Sequence, residues 1–198
     1  MTFLWALAGY LCGGLPFSVW LGRLAAGGDV RQVGDGNPGA ANAWRLGGWR
    51  AGLAALVLDY LKGALPVAAA HFVFGLRGWP LAAAAVAPVL GHAFSPWLGF
   101  RGGKGLTVTF GVWSGLTLAQ APLILGLFMT LFYFSLSVDA WAVITSLVGL
   151  LAHLLLQQAE PPLLAVWAGS FALLAWKHRL ELRQAPRLKP WLAGRRHG

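Results

Sequence analysis

The chain alternates long apolar runs with short polar stretches that carry glycine. Runs near the roughly 20-residue length of a membrane-spanning helix recur from one end to the other. They predict helices over roughly 3–22, 51–74, 80–97, 105–119, 121–134, 140–157 and 162–176. A polar, glycine-rich segment, Arg23–Arg50, separates the first two. Arg77 and Pro80 mark the next turn, Gly91–Gly105 (GHAFSPWLGFRGGKG) the one after, and Ser135–Asp139 (SLSVD) a later break. Gln157–Pro162 turns the chain into the last run, and a basic tail starts at Lys177. The fold expected is all-α and polytopic, a bundle of about seven transmembrane helices. The fourth and fifth runs are short for a full span, so five spans plus one re-entrant hairpin fit equally. With no tandem repeat or low-complexity tract, residues 1–198 read as a single membrane-embedded domain.

Composition supports the same class. The 198 residues are 58% hydrophobic and only 11% charged, where a soluble domain carries about a quarter charged residues. Mean hydropathy is +0.65. Twenty-seven glycines suit close approach of helices in lipid, where small residues replace the hydrophobic effect as the means of association. The start, MTFLWALAGYLCGG, lacks a positive n-region and an A-x-A cleavage site and reads as a retained first helix. The lone Cys12 allows no internal disulfide.

The net charge of +9 reads first as orientation, not as nucleic-acid binding. With an odd number of spans, the loops 23–50, 99–105 and 135–139 and the tail share one face. That face holds thirteen of the fifteen Lys and Arg residues, whereas the other holds only Arg77, and Lys62 lies within a span. The bias places this face in the cytoplasm, with the N-terminus outside and the C-terminus cytoplasmic.

The polar stretches on that face are more than topology signals in composition. Residues 34–39, GDGNPG, fit G-x-G-x-x-G, but a membrane helix precedes them where a dinucleotide fold needs a strand, so that reading fails. Two readings stand: a flexible loop of turn residues, or a cradle whose N–H groups and amides face phosphate oxygens, completed by Arg45. Gly91–Gly105 is not a Walker loop, since Gly105 follows Lys104 where Ser or Thr is required. Its glycines beside His92, Arg101 and Lys104 still suit an anion. Asp59 and Lys62 lie three residues apart on one helical face, and such a pair is either an intramembrane site or a structural ion pair. His71 and His153 map nearer the other face or mid-span. No ligand set has metal spacing, and no motif requires magnesium or another cofactor. The tail residues Lys177, His178 and Arg179 follow directly on the last helix; from Arg183 onward the tail reads as a basic flank for anionic lipid.

GGLPFSVWLGRL, DVRQVGDGNPGAANAWRLGG, LDYLKG, GHAFSPWLGFRGGKG and SLS occur in this order. With these motifs the chain resembles the bacterial acyl-phosphate:glycerol-3-phosphate acyltransferases, the PlsY family, from about residue 9 to 183. The resemblance implies an inner-membrane enzyme of phospholipid biosynthesis with its motifs on the cytoplasmic side. It implies attack of the 1-hydroxyl of glycerol 3-phosphate on a fatty acyl phosphate, giving lysophosphatidate and phosphate. Arg45, Lys104 and His92 are then the catalytic residues. Asp35, Gly36, Asn37, Gly39, Asn42, Arg101, Gly102, Gly103, Ser135, Ser137 and His178 bind substrate. The partners implied are the two substrates, membrane lipid and other enzymes of phospholipid synthesis, with no nucleic acid. Acyl carrier protein and coenzyme A are not the direct donors.

Four positions depart from the pattern implied by the resemblance. Asp35 stands where Ser is usual, Ala41 where Thr is usual, Val138 where another Ser is usual, and Glu181 where Asn is usual. An uncompensated Asp35 weakens anion binding by like-charge repulsion. Compensation calls for a cation, and Arg31, Arg45 and Lys104 are the candidates. The alternative function is a non-catalytic membrane homologue that binds a phospholipid or acyl phosphate. A transporter predicts polar residues continuing to the far face, whose helix halves here are almost wholly apolar.

Overall fold

The computed structural model describes residues 2–193, so the tail cations Arg195 and Arg196 lie outside the described residues. Eight α-helices account for the apolar runs: α1 (Thr2–Gly14), α2 (Phe17–Ala26), α3 (Ala40–Ala68), α4 (Gly78–Ala93), α5 (Leu106–Thr117), α6 (Gln120–Ser135), α7 (Asp139–Leu156) and α8 (Pro161–Lys177). Among the described residues the only β pairing is one isolated antiparallel bridge, Leu136 to Leu188. Four segments, Thr2–Ala26, Ala40–Val73, Gly78–Leu98 and Asp139–Leu156, are long and apolar enough to cross a membrane. At 1.5 Å per residue α5 covers about 18 Å and α6 about 24 Å, less than a hydrocarbon core of about 30 Å.

The first predicted helix is broken. Pro16 has no N–H to donate, so α1 stops at Gly14 and α2 restarts at Phe17. The carbonyls freed at the break find partners elsewhere: Lys62 Nζ donates to Leu15 O at 2.7 Å and Ser95 Oγ to Gly14 O at 2.6 Å. The second helix starts earlier than expected, because Ala40–Gly47 is helical although its sequence reads as loop. Gly48 (φ 75°, ψ −176°) then kinks α3 before the long apolar run. At its far end α3 continues through a π-helical turn, Ala69–Val73.

Helices meet where a side chain is absent. A Cβ on Gly13 would strike the Pro88 backbone, and one on Gly91 would strike the Tyr10 carbonyl, so α1 and α4 touch backbone to backbone. Between α3 and α5 a Cβ on Gly111 would strike the Tyr60 carbonyl and one on Gly63 the Val108 carbonyl. Around these contacts Trp113, Leu125, Leu147, Leu150 and Leu174 are fully buried. Phe3, Leu4, Leu24, Val73, Leu123, Leu127 and Leu156 are exposed and form an apolar outer surface. In water such a surface would drive association; in lipid it is the expected exterior. This is an all-helical integral membrane fold.

From α3 to α8 successive helices run in opposite directions, whereas α1 and α2 are the two halves of one broken segment. The N-terminal ends of α3, α5 and α7 and the C-terminal ends of α4, α6 and α8 meet at one end of the bundle around one cavity. The other ends of α3, α4, α5 and α8 surround a smaller cavity of about 380 Å³ that holds His71 and Arg77. The polar stretches singled out by sequence lie at the first end.

Candidate active site

The larger cavity has a volume of about 730 Å³. Its polar end is built by three segments. The loop before α3 contributes Asp35, Asn37 and Gly39, and α3 itself adds Arg45. The segment after α4 contributes Lys104 and Gly105. The last turn of α8 and the residues beyond it contribute His178, Glu181 and Gln184. Leu56, Leu106, Met129, Tyr133 and Val143 line the remainder, so the cavity passes from charge to hydrocarbon.

Two helix N-termini open at the polar end. Gly39, in extended conformation, caps α3, and Gly105, with φ 87°, caps α5; neither helix has a side-chain cap. The first intrahelical bonds are Ala43 N–H to Gly39 O and Thr109 N–H to Gly105 O. The N–H groups before Ala43 and Thr109 therefore have no partner within their helices, and each terminus carries a partial positive charge. Backbone N–H groups, helix dipoles and the two cations Arg45 and Lys104 are together groups that can hold an anion.

A chain of hydrogen bonds runs along this wall. Arg45 Nη1 donates to Asn42 Oδ1 at 2.7 Å, and Asn42 Nδ2 donates to Asp35 Oδ1 at 2.9 Å and to Asn37 O at 3.0 Å. Lys104 Nζ donates to Asp35 Oδ2 at 2.7 Å and to Glu181 Oε1. Gly34 (φ 59°) lets the loop pass over this network, since a Cβ there would strike Asn42 Oδ1 and Arg45 Nη1. Of the three candidate partners for Asp35, Lys104 is the one that pairs with it. Arg31 instead pairs with Asp29 at 2.6 Å, and its hydrogen bonds hold the Asp29 carboxyl well below the usual carboxylate range. Partial burial alone would raise the Asp35 carboxyl. The hydrogen bonds from Lys104, the Asn37 N–H and Asn42 outweigh it and bring the pKa to about 2. Burial likewise works against the charge on Lys104, and its two carboxylate partners reverse this and raise it. All four positions that depart from the resemblance, Asp35, Ala41, Val138 and Glu181, line the cavity.

His92 lies buried in the last turn of α4 and lines the cavity under the Gly102–Gly103 backbone. Gly103 N–H donates to His92 O at 3.0 Å. A Cβ on Gly102 would strike that carbonyl, and one on Gly103 would strike the ring nitrogen Nε2. These glycines let the loop lie directly on the histidine. Lys177 holds the loop from the other side, donating to Ala93 O at 2.7 Å and Gly102 O at 2.9 Å. His178 is buried, which lowers its pKa and keeps it neutral. Its Nδ1 lies 2.8 Å from Leu174 O, a group that can only accept, so Nδ1 carries the hydrogen.

The structure therefore brings together Arg45, Lys104, His92, Asp35, Asn37, Gly39, Ser137 and His178 around one cavity. Asn42 bridges Arg45 and Asp35 from behind, and Gly36, Gly102 and Gly103 shape the loops without lining the cavity. Arg101 is exposed and lies off it. Ser135 also lies off it, its hydroxyl donating to Leu131 O at 2.7 Å, and the Ser137 hydroxyl donates to Leu188 O at 3.1 Å. Glu181 stood out in the sequence as a departure from the family pattern, but its pairing with Lys104 did not; Gln184 was missed, because it sits in the part of the tail that reads as a basic flank. Sequence reasoning left Asp59 open between an intramembrane site and a structural ion pair, and Asp59 both lines the cavity and pairs with Lys62 at 2.7 Å.

Residues 3–186 match the family model described as glycerol-3-phosphate acyltransferase. Glycerol-3-phosphate acyltransferase 1 of Thermotoga maritima is 36% identical over 191 residues, covering 88% of this chain and 93% of that protein. The glycerol-3-phosphate acyltransferase of Methylorubrum extorquens is 43% identical over 183 residues, covering 89% and 85%. Among solved structures, the glycerol 3-phosphate form of PlsY (YgiH), an integral membrane glycerol 3-phosphate acyltransferase, superposes with a TM-score of 0.84 at 29% identity, covering 99% of this chain and 94% of PlsY. Its lysophosphatidic acid form gives 0.82 at 28% identity over the same shares. With the family model spanning nearly its whole length and relatives above 30% identity along most of it, this chain belongs to the glycerol-3-phosphate acyltransferase family.

Proposed function

We propose that the chain transfers a fatty acyl group from an acyl phosphate to the 1-hydroxyl of glycerol 3-phosphate, releasing inorganic phosphate and 1-acylglycerol 3-phosphate. The observation that carries this reading is the single cavity with a cationic, N–H-rich end and an apolar end. Both substrates are phosphate monoesters or anhydrides, and the donor also brings a long acyl chain. Phosphates at the end formed by Arg45, Lys104 and the N-termini of α3 and α5 leave the chain between Leu56, Met129 and Val143.

The step balances without an acyl-enzyme. The hydroxyl oxygen attacks the carbonyl carbon, a new ester C–O bond forms, and the anhydride C–O bond breaks. Its electron pair leaves with phosphate, and a phosphate oxygen takes the hydroxyl proton. The protein positions two anions and offsets their charge, and donors already oriented for this do so at no cost in reorganisation. Asn37, Asn42 and the backbone near Gly36 and Gly39 complete the cradle, and His92 orients the Gly102–Gly103 loop or bonds substrate. The excess of cations among the loops on one face supports a site facing the cytoplasm, with the N-terminus outside, in the inner membrane of a bacterium. Residues 1–198 act as one membrane-embedded unit.

Purified protein in detergent, given palmitoyl phosphate and glycerol 3-phosphate, is expected to release phosphate and form the lysolipid. Lys104→Ala is expected to lower the rate at least about 100-fold, the scale of losing one charge-stabilising donor. Product formed from acyl-coenzyme A but not from acyl phosphate would overturn the donor. A second reading, a homologue that binds these ligands without turnover, is favoured by one observation: two carboxylates already occupy Lys104. It predicts ligand binding by the parent with no phosphate released.

A further inference from the structure

Lys104 is held by two separate parts of the chain. Asp35 comes from the loop before α3, and Glu181 from the short 3₁₀ turn after α8. The charged side chains lining the cavity are the cations Arg45 and Lys104 and the carboxylates Asp35, Asp59, Asp139 and Glu181. Asp59 has its own partner in Lys62, and Asp139 lies at the N-terminus of α7, where a carboxylate is favoured by the helix dipole. That leaves two carboxylates on the one lysine at the polar end of a cavity whose expected ligand is itself a phosphate dianion.

We infer that Asp35 and Glu181 are affinity-determining residues that compete with the substrate phosphate for Lys104, so that glycerol 3-phosphate binds by ion exchange. This rests on glycerol 3-phosphate being the acceptor. The ammonium group has three hydrogens, and two already go to carboxylates. A phosphate oxygen at Lys104 therefore gains one free hydrogen and must displace a carboxylate to gain more. Glu181 is the one to leave. Among the described residues Lys104 is the only side chain it bonds, whereas Asp35 also accepts from Asn42 Nδ2 and the Asn37 N–H. Asp35, with a pKa of about 2, stays ionised in mild acid, so its own hold on Lys104 persists there. The consequence is a site with weaker affinity for phosphate monoesters than its cations and N–H groups would otherwise give.

Calorimetry of glycerol 3-phosphate and of inorganic phosphate on the purified full chain tests this without any acyl donor. Failure of the acyl-phosphate assay and failure of this inference are thus read separately. Glu181→Gln keeps the shape and removes the charge. It is expected to tighten both ligands about three- to fivefold, the scale of a partly exposed ion pair. Asp35→Asn is expected to act in the same direction. In a Lys104→Gln background the gain from Glu181→Gln should vanish, because nothing is left to compete for. An unchanged or weaker affinity in Glu181→Gln, or an equal gain without Lys104, would overturn the inference; the latter would mean plain repulsion by the carboxylate. Trace acetylation of Lys104, read by peptide mass spectrometry, decides the matter if Lys104→Gln binds too weakly to measure. The label is expected to enter faster in Glu181→Gln than in the parent, and equal rates in the two proteins refute the competition. Thermal melts in detergent confirm that each variant is folded.

Discussion

At the scale of single residues, the site works by placing charges against charges. Asp35 lies next to an anion site, and the hydrogen bonds from Lys104, Asn42 and the Asn37 N–H make that placement stable. The arrangement has a pH signature. A carboxyl whose folded pKa falls from 3.8 to about 2 contributes stability that is complete above pH 3.8. That contribution is lost as pH falls toward about 2, when the carboxyl protonates in the folded state too. Thermal melts of the parent are expected to fall through this window, and Asp35→Ser should flatten that part of the curve. Equal slopes in both proteins would show that the Lys104–Asp35 pair does not couple to folding. The sequence narrowed the partner of Asp35 to three cations. Only the fold could choose, because Lys104 lies 69 positions away along the chain.

At the scale of elements, glycines decide how close helices come. In lipid there is no hydrophobic force to press helices together, so contact depends on shape and on backbone approach. Gly111 on α5 faces the Tyr60 carbonyl of α3, and a Cβ there has no room because the obstacle is backbone. Gly111→Ala is expected to cost about 1–3 kcal/mol by overpacking, read as a lowered melting temperature in detergent. It should also lower activity, since α5 carries the N-terminus that opens at the cavity. Gly126→Ala is the control, as a Cβ there meets only an ordinary van der Waals neighbour, Phe110. A similar loss in both would mean that α6 tolerates no change either and that the α3–α5 contact is not special. Abundant glycine was visible in the sequence, but the pairing of Gly111 with Tyr60 was not, because spacing within one run does not say which run it meets. The helix at 40–47 was also missed. Its few apolar residues give too short a period, and its N-cap is a glycine with no side chain to signal the start.

At the scale of the whole molecule, the alternating direction of the helices brings six helix ends and three polar segments to one cavity. In the proposed orientation that end faces the cytoplasm, where an excess of cations is expected. A fluorescent protein fused after Gly198, which matures only in the cytoplasm, is expected to glow, and alkaline phosphatase fused before Met1 is expected to be active. A dark C-terminal fusion would reverse the orientation and put the site on the far side from the cytoplasm. The tail takes part in this architecture. Ser137 N–H donates to Arg187 O at 2.8 Å, Lys189 N–H to Ser135 O at 2.9 Å and Trp141 Nε1 to Gln184 O at 2.8 Å. A segment that reads as a lipid anchor is thus strapped across the break between α6 and α7.

The amino-acid sequence by itself determined the class of this protein. Apolar runs of span length, few charges and a one-sided excess of cations follow from what a bilayer tolerates, and that solvent acts on each segment locally. The motifs at 34–45 and 91–105 likewise named Arg45, His92 and Lys104, because glycine beside cations is a local pattern. What sequence could not decide is which residues meet. Glu181 on Lys104, Asp59 in the cavity wall and Arg101 off it all depend on how the runs fold back on one another. Contacts across the bundle come from steric fit between distant surfaces, which has no period along the chain to betray it.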